Sequence, residues 1–246
     1  MKRRLQDFAL AGGSQEFDKP VGTSSLLRPN FDAFLDYSRK FFAVGQYSNN
    51  GPLLLELERR LADFHKADYC VAFCSGFWAM VLAIDALKRP GRREVIIPSL
   101  TYRRLSDLAA WSDLKPRFCE VDPNTLSMTA ELAANAINQD TALIVAVHPM
   151  VNCCDVDELR QLSEDTGIPL LIDSVESSYE ETAHGRVGSM AHAEAFSMHA
   201  SKLINGAEGG YITTSDTKLR DRLKLTRGFG LNGPSQVEEK FGTNAK

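Results

Sequence analysis

The chain has 246 residues, 43% of them hydrophobic and 24% charged, with a formal net charge of −4; such a chain can bury a sizeable core without disulfide or metal staples. The slightly acidic balance offers no basic stripe for nucleic acid and no cationic face for anionic lipid. No window reaches the ~20 apolar residues of a membrane span, and Met1-Lys2-Arg3-Arg4 runs into Gln6 and Asp7 before any signal-like apolar run, so a cytoplasmic protein is expected.

The first residues carry Gly12-Gly13-Ser14 and Pro20-Val21-Gly22 without sustained periodicity and read as a surface arm over residues 1–27. The rest, 28–246, reads as one domain. After the turn Asn49-Asn50-Gly51-Pro52, apolar residues at 54, 57 and 61 with charges between them predict an amphipathic helix. Short apolar runs then alternate with helical stretches: Tyr69 to Phe73 before Phe77 to Leu87, Val95 to Pro98 before Arg104 to Trp111, Arg117 to Val121 before Thr129 to Ile137. The alternation continues with Leu143 to Val147 before Val156 to Thr166, then Pro169 to Asp173, Ala193 to Ser197, and Tyr211 to Thr214 before Thr217 to Thr226. This pattern predicts an α/β fold, a mostly parallel sheet with helices on both faces. Five cysteines (Cys70, Cys74, Cys119, Cys153, Cys154) form no CxxC pair, which fits reduced thiols serving mainly as small core hydrophobes.

Ligands of such sheets bind outside the carboxyl ends of the strands. That rule selects Cys74-Ser75-Gly76, Ser99 to Tyr102, His148, Asp173 to Glu176, and Ser197 to Lys202. Ser75-Gly76 opens a helix whose unpaired N–H groups suit a phosphate, or else forms a simple cap. No GxGxxG follows a strand and no GxxxxGK[ST] is present, so nicotinamide dinucleotide and P-loop nucleotides lack their phosphate grips. Asp173 ends an apolar run, where a charge needs a cationic partner, or else caps the following loop. Lys202 lies between a buried-looking strand and Glu208-Gly209-Gly210; in a desolvated pocket or near other cations such a lysine becomes a usable amine nucleophile toward an aldehyde, and otherwise it is an ordinary solvated surface lysine. His148 reads as a base or a hydrogen-bonded loop residue. A phosphate-binding helix start, a strand-end Asp and a later Lys together suit pyridoxal 5′-phosphate.

The ordered series Asn49 to Pro52, Leu57-Glu58, Ser75-Gly76, Pro98 to Tyr102, Phe118 to Thr125, Val147-His148, Asp155 to Asp157, Asp173 with Glu176, Phe196 to Lys202, Glu208 to Gly210 and Phe241 to Lys246 resembles the DegT/DnrJ/EryC1/StrS family of sugar aminotransferases. The resemblance implies the large domain of a fold type I pyridoxal-phosphate transferase. In it Lys202 matches the lysine that carries the cofactor, and Asp173 the partner of the pyridine nitrogen. Ser197 matches the phosphate-binding hydroxyl, Ser75, Gly76 and the Phe77 amide the phosphate cradle, and Tyr102 the aromatic stacked on the ring. Glu176 falls near the ring oxygen, and Asn244 on an asparagine that reaches the phosphate of a neighbouring subunit, which implies a homodimer with shared sites. The implied reaction moves an amino group from glutamate to a nucleotide-linked keto-deoxy sugar. The alternatives are a sugar dehydratase on the same fold, which the resemblance disfavours because those relatives carry His where Lys202 stands, and a non-catalytic cofactor-binding or regulatory protein.

Three departures stand out. Phe77 occupies a position usually held by Thr, which removes one hydroxyl from the phosphate and predicts weaker cofactor retention. Glu176 stands where many members have Gln, so an ionised carboxylate faces a phenolate-like oxygen and one of the two is expected to carry a proton. The C-terminal small domain of the family is absent or truncated, and the chain reads as a fragment.

Overall fold

The computed structural model describes residues 4–19, 29–47, 50–149, 153–232, 236–239 and 242–246. The sequence features at Pro20 to Gly22, Asn49 and Phe241 lie outside them. The arm begins with two single 3-10 turns, Leu5–Asp7 and Ala9–Ala11. Helix α1 (Phe31–Val44) is capped by the Asn30 carboxamide, which accepts the Ala33 N–H, and buries none of its residues.

Helix α2 (Pro52–His65) starts with proline at its first position, where the missing N–H costs nothing. Its buried residues are Glu58, Leu61, Ala62 and His65, while Leu57 is exposed, so the inward face is rotated from the predicted 54/57/61 stripe. The reason is electrostatic: buried Arg227 draws Glu58 inward, their closest N–O distance being 2.5 Å.

A seven-stranded sheet follows from β1 (Tyr69–Phe73), β2 (Glu94–Pro98), β3 (Lys115–Cys119), β4 (Thr141–Val147), β5 (Leu170–Asp173), β8 (Ala193–Ser197) and β9 (Gly210–Thr214). The short hairpins β6 (Glu181–Thr182) with β7 (Gly185–Arg186), and β10 (Leu231–Asn232) with β11 (Gln236–Val237), stand apart from it. The order is β1-β9-β8-β5-β4-β2-β3, and β9 runs antiparallel to both of its neighbours, the other pairs being parallel. Helices α3 (Gly76–Leu87), α4 (Leu105–Trp111) and α7 (Thr217–Arg227) pack on one face; α2, α5 (Ala130–Ala136) and α6 (Val156–Thr166) cover the other.

Strand alternation assigns the faces. Val71, Phe73, Leu171, Ala193, Ala195 and Ile212 join the core under α3, whereas Ile172, Leu170, Ala72, Phe196 and Tyr211 line the opposite face. Strand β3 lies two residues earlier than the Arg117 to Val121 run suggested. It is the edge strand, largely exposed, its register fixed by pairing with β2 from Glu94↔Lys115 to Pro98↔Cys119. The Asp122 carboxylate then turns the chain by accepting the Asn124 and Thr125 amides.

Candidate active site

The opening of α3 forms the first half of the site. Ser75 is extended, its hydroxyl accepts the Trp78 N–H at 3.3 Å and its carbonyl accepts the Ala79 N–H at 3.1 Å. Capping therefore engages the Ser75 side chain and leaves the Gly76 and Phe77 N–H groups, without intrahelical acceptors, at the positive end of the helix. A Cβ added to Gly76 would lie 2.9 Å from Ser197 Cβ and 3.3 Å from Ser197 Oγ; one added to Gly210 would lie 2.4 Å from Gly76 Cα. The β1–α3 turn, the end of β8 and the start of β9 thus meet so closely that two positions admit only glycine, and the Ser197 hydroxyl is delivered beside the helix mouth. That hydroxyl accepts the His199 N–H at 3.2 Å and keeps its own proton to donate. The need for Gly210 was not legible in the chain; it follows from the contact between two distant turns.

Phe77 contributes only its main chain. Its ring packs edge-on against Trp78 and Trp111, with centroids 5.8 and 6.2 Å away.

The second half lies at the carboxyl end of β5. Asp173 shares a face with Leu171, is 8% exposed, and accepts the Val175 N–H at 3.1 Å. Burial pushes its carboxyl up to about 6, opposed by the Val175 amide; nearby Glu176 adds to the rise and nearby Lys202 opposes it. Lys202 is close enough to lower the Asp173 carboxyl, but its ammonium forms its ion pair with Glu176. Glu176 is thus balanced by the free amine of Lys202, an arrangement the sequence did not suggest.

Lys202 projects from the 198–209 connection between antiparallel β8 and β9. Four main-chain bonds hold that loop: Met198 N to Gly209 O, Gly206 N to Met198 O, Ala200 N to Ala207 O and Lys202 N to His199 O, all 2.8–2.9 Å. Ala207 takes a left-handed φ of 67° to close it.

His148 lies at the end of β4, buried, its Nδ1 accepting the Cys154 N–H at 3.1 Å. Burial lowers its pKa to about 4, so the ring is neutral at pH 7 and serves as a hydrogen-bonding loop residue. Cys70, Cys119 and Cys154 are buried as expected, whereas Cys74 is exposed at the end of β1. Tyr102 lies on the loop after β2 and is 66% exposed. Asn244 is exposed on a segment docked beside the α3 entrance: Asn244 bridges Gly228, Ala245 N bonds Arg227 O, and Cys74 N bonds Ala245 O. Ser75, Gly76, Phe77 and Ser197 are therefore gathered in one cluster and Asp173, Glu176 and Lys202 in a second, with Tyr102 and Asn244 exposed on separate loops.

This donor set fits pyridoxal 5′-phosphate. The α3 start, with two N–H groups that lack intrahelical acceptors and the Ser197 hydroxyl beside them, suits a phosphate dianion. Among the described residues the buried strand-end carboxylate has no ion-pair partner of its own, as a protonated pyridine nitrogen requires, and the Lys202 amine is near it.

The sequence profile of the DegT/DnrJ/EryC1/StrS aminotransferase family matches residues 32–246. The chain is 32% identical over 192 residues to an L-glutamine:2-deoxy-scyllo-inosose aminotransferase of Streptomyces fradiae, covering 76% of this chain and 45% of that one. It is 26% identical to a dTDP-4-amino-4,6-dideoxy-D-glucose transaminase of Shigella dysenteriae, covering 93% of this chain and 62% of that one. The crystal structure of DesI, solved with its TDP-sugar product, superposes with a TM-score of 0.85 at 30% identity, over 98% of this chain and 61% of that one. The chain thus spans about half the length of the curated relatives it matches. No helix among the described residues is long and apolar enough to cross a membrane. With the profile matched across most of its length and the fold shared with DesI, the chain belongs to the DegT/DnrJ/EryC1/StrS family of pyridoxal-phosphate-dependent sugar aminotransferases.

Proposed function

We propose that this chain is the cofactor-binding part of an aminotransferase that moves an amino group from glutamate to the keto carbon of a nucleotide-linked deoxy sugar. The observation that carries the reading is the convergence of Asp173, Glu176 and Lys202 at the carboxyl end of β5. Pyridoxal phosphate bound there supplies an aldehyde that captures amines and a ring that accepts electron density when a carbon-bound proton leaves.

The chain's own residues do the rest. The Gly76 and Phe77 N–H groups and the Ser197 hydroxyl bind the phosphate and orient the ring. The Asp173 carboxylate holds a proton on the pyridine nitrogen, and its burial keeps competing water away. Lys202 Nζ anchors the cofactor and, once free, moves the proton at the substrate carbon. Glu176 accepts the Lys202 ammonium whenever the amine is released, keeping it at the site. Tyr102 would help to hold the ring, and Asn244 would serve the phosphate site of a second subunit in a homodimer.

One half of the cycle consumes glutamate and releases 2-oxoglutarate; the other consumes the ketone and returns the amine. A second reading, with glutamine as donor and a cyclitol ketone as acceptor, is favoured by the Streptomyces relative named for those compounds.

Borohydride reduction of the cofactor-loaded protein should fix the cofactor on Lys202, and glutamate should bleach the visible band with stoichiometric release of 2-oxoglutarate. Bleaching by glutamine alone selects the second reading. A band that neither donor changes would identify a non-catalytic binder, and an adduct on another lysine would overturn the assignment of Lys202.

A further inference from the structure

Strand β8 carries a carboxylate with no place in the chemistry above. Glu194 is 1% exposed in the middle of Ala193-Glu194-Ala195-Phe196-Ser197, on the sheet face opposite Asp173. Burying an ionisable group in a sheet costs stability relative to an apolar residue of similar size. Its partners among the described residues are neutral: Oε2 accepts the Ser174 hydroxyl at 3.0 Å, Oε1 accepts the Met190 N–H at 2.7 Å, and the Gly188 amide adds a third donor.

Ser174 is the residue after Asp173. Its N–H donates to Ala195 O at 2.9 Å and its carbonyl accepts the Ser177 N–H at 3.0 Å. The turn that begins at Asp173 and ends beyond Glu176 is therefore fastened to β8 twice, through main chain at Ala195 and through side chain at Glu194. Because successive residues of an extended chain point to opposite faces, fixing the Ser174 side chain on one face sets the direction of the Asp173 carboxylate on the other. The Asp173 side chain itself has one local restraint, the Val175 N–H of the same turn.

We propose that Glu194 is a positioning residue that, through Ser174, holds the Asp173–Glu176 turn in the geometry that binds the pyridine nitrogen. The proposal rests on the role assigned to Asp173, and its test separates the two.

The experiment compares purified Ser174→Ala, Glu194→Met, the double variant and Asp173→Asn in three measurements: the pyridoxal phosphate dissociation constant, the pH titration of the bound cofactor's visible absorbance, and amide hydrogen exchange in the cofactor-free protein. Each single staple variant should weaken cofactor binding roughly 3- to 10-fold, part of the worth of one charge-assisted hydrogen bond. The double variant should be no weaker than the worse single, since Ser174→Ala and Glu194→Met each remove the one hydrogen bond between the two side chains. Ser174→Ala, which leaves the Glu194 bond to the Met190 N–H intact, isolates that contact. The absorbance titration should move in the direction seen with Asp173→Asn but less far. The amides of 175–177 should exchange faster while those of α6 are unchanged; a merely structural loss would not combine these shifts. Ser174→Ala, which deletes one oxygen, keeps the test open if Glu194→Met folds poorly. Wild-type affinity and titration in Ser174→Ala, or multiplicative effects in the double variant, overturn the proposal while leaving Asp173 in place. An Asp173→Asn protein with an unmoved titration removes the role of Asp173, and the proposal with it.

Discussion

A carboxylate at the end of an apolar strand is held against its own solvation, and Asp173 shows the consequence. Its ordinary pKa of 3.8 is raised to about 6 in the folded chain, chiefly by burial. A raised carboxyl contributes stability fully below the unfolded value, and that contribution is lost as pH rises through about 6. Asp173→Asn should therefore stabilise the cofactor-free protein by about 2–3 kcal/mol near pH 8 and by little near pH 4, as urea unfolding at the two pH values will show. The same substitution should weaken cofactor binding, so site and scaffold pull in opposite directions at one residue. At Phe77 the balance differs, because its ring is held by Trp78 and Trp111 and places no donor at the helix mouth. Phe77→Thr returns a hydroxyl there, and one charge-assisted hydrogen bond is worth roughly 1.5–3 kcal/mol. Cofactor affinity should rise by at least about tenfold, measured by equilibrium dialysis; an unchanged dissociation constant would mean that the hydroxyl cannot reach the phosphate.

Helices and strands are locked together by charge as well as by apolar packing. Arg227 at the end of α7 is 2% exposed; its guanidinium donates to Glu58 on α2, to the Ala72 carbonyl of β1 and to the Asn50 side chain. Glu58 also accepts the Ala72 N–H at 3.0 Å and pairs with Lys224 at 3.5 Å. The Arg227 carbonyl then receives the Ala245 N–H, which ties this buried network to the segment carrying Asn244. Removing one partner of such a pair strands the other charge, so Arg227→Leu should cost about 3–5 kcal/mol. Glu58→Leu combined with Arg227→Leu should recover much of that loss, since no buried charge is left unpaired and the Lys224 ammonium, released from Glu58, is partly exposed to solvent. Chemical unfolding of the two singles and the double forms the required cycle, and additive losses would show that the two residues act separately.

For the molecule as a whole, Asn244 and Lys202 emerge on different segments around one sheet edge, and the proposed dimer has each subunit lend its Asn244 to the other's site. Two-fold symmetry then makes a sharp expectation. Lys202→Ala and Asn244→Ala proteins should each be impaired, and mixing them under subunit exchange should restore function to about a quarter of the sites. Transamination assays on mixtures, with sedimentation to verify exchange, decide it; no recovery in exchanged dimers means that each site is built within one subunit.

The sequence alone determined the alternation of strands and helices, because buried strands and amphipathic helices write their periods into residue order. Tyr69–Phe73, Val156–Thr166 and Ala193–Ser197 were legible to the residue. It also singled out the residues at strand ends, since chain direction fixes where each strand stops. Tertiary structure decided what depends on contacts between distant segments. It reversed β9 between β1 and β8, moved β3 into register with β2, and turned α2 to bring Glu58 to Arg227. It also paired Lys202 with Glu176 and set Gly210 against Gly76. A local pattern records which face of an element is apolar; it carries no record of which charge stands opposite, because that partner is chosen by the packing of elements far apart in the chain.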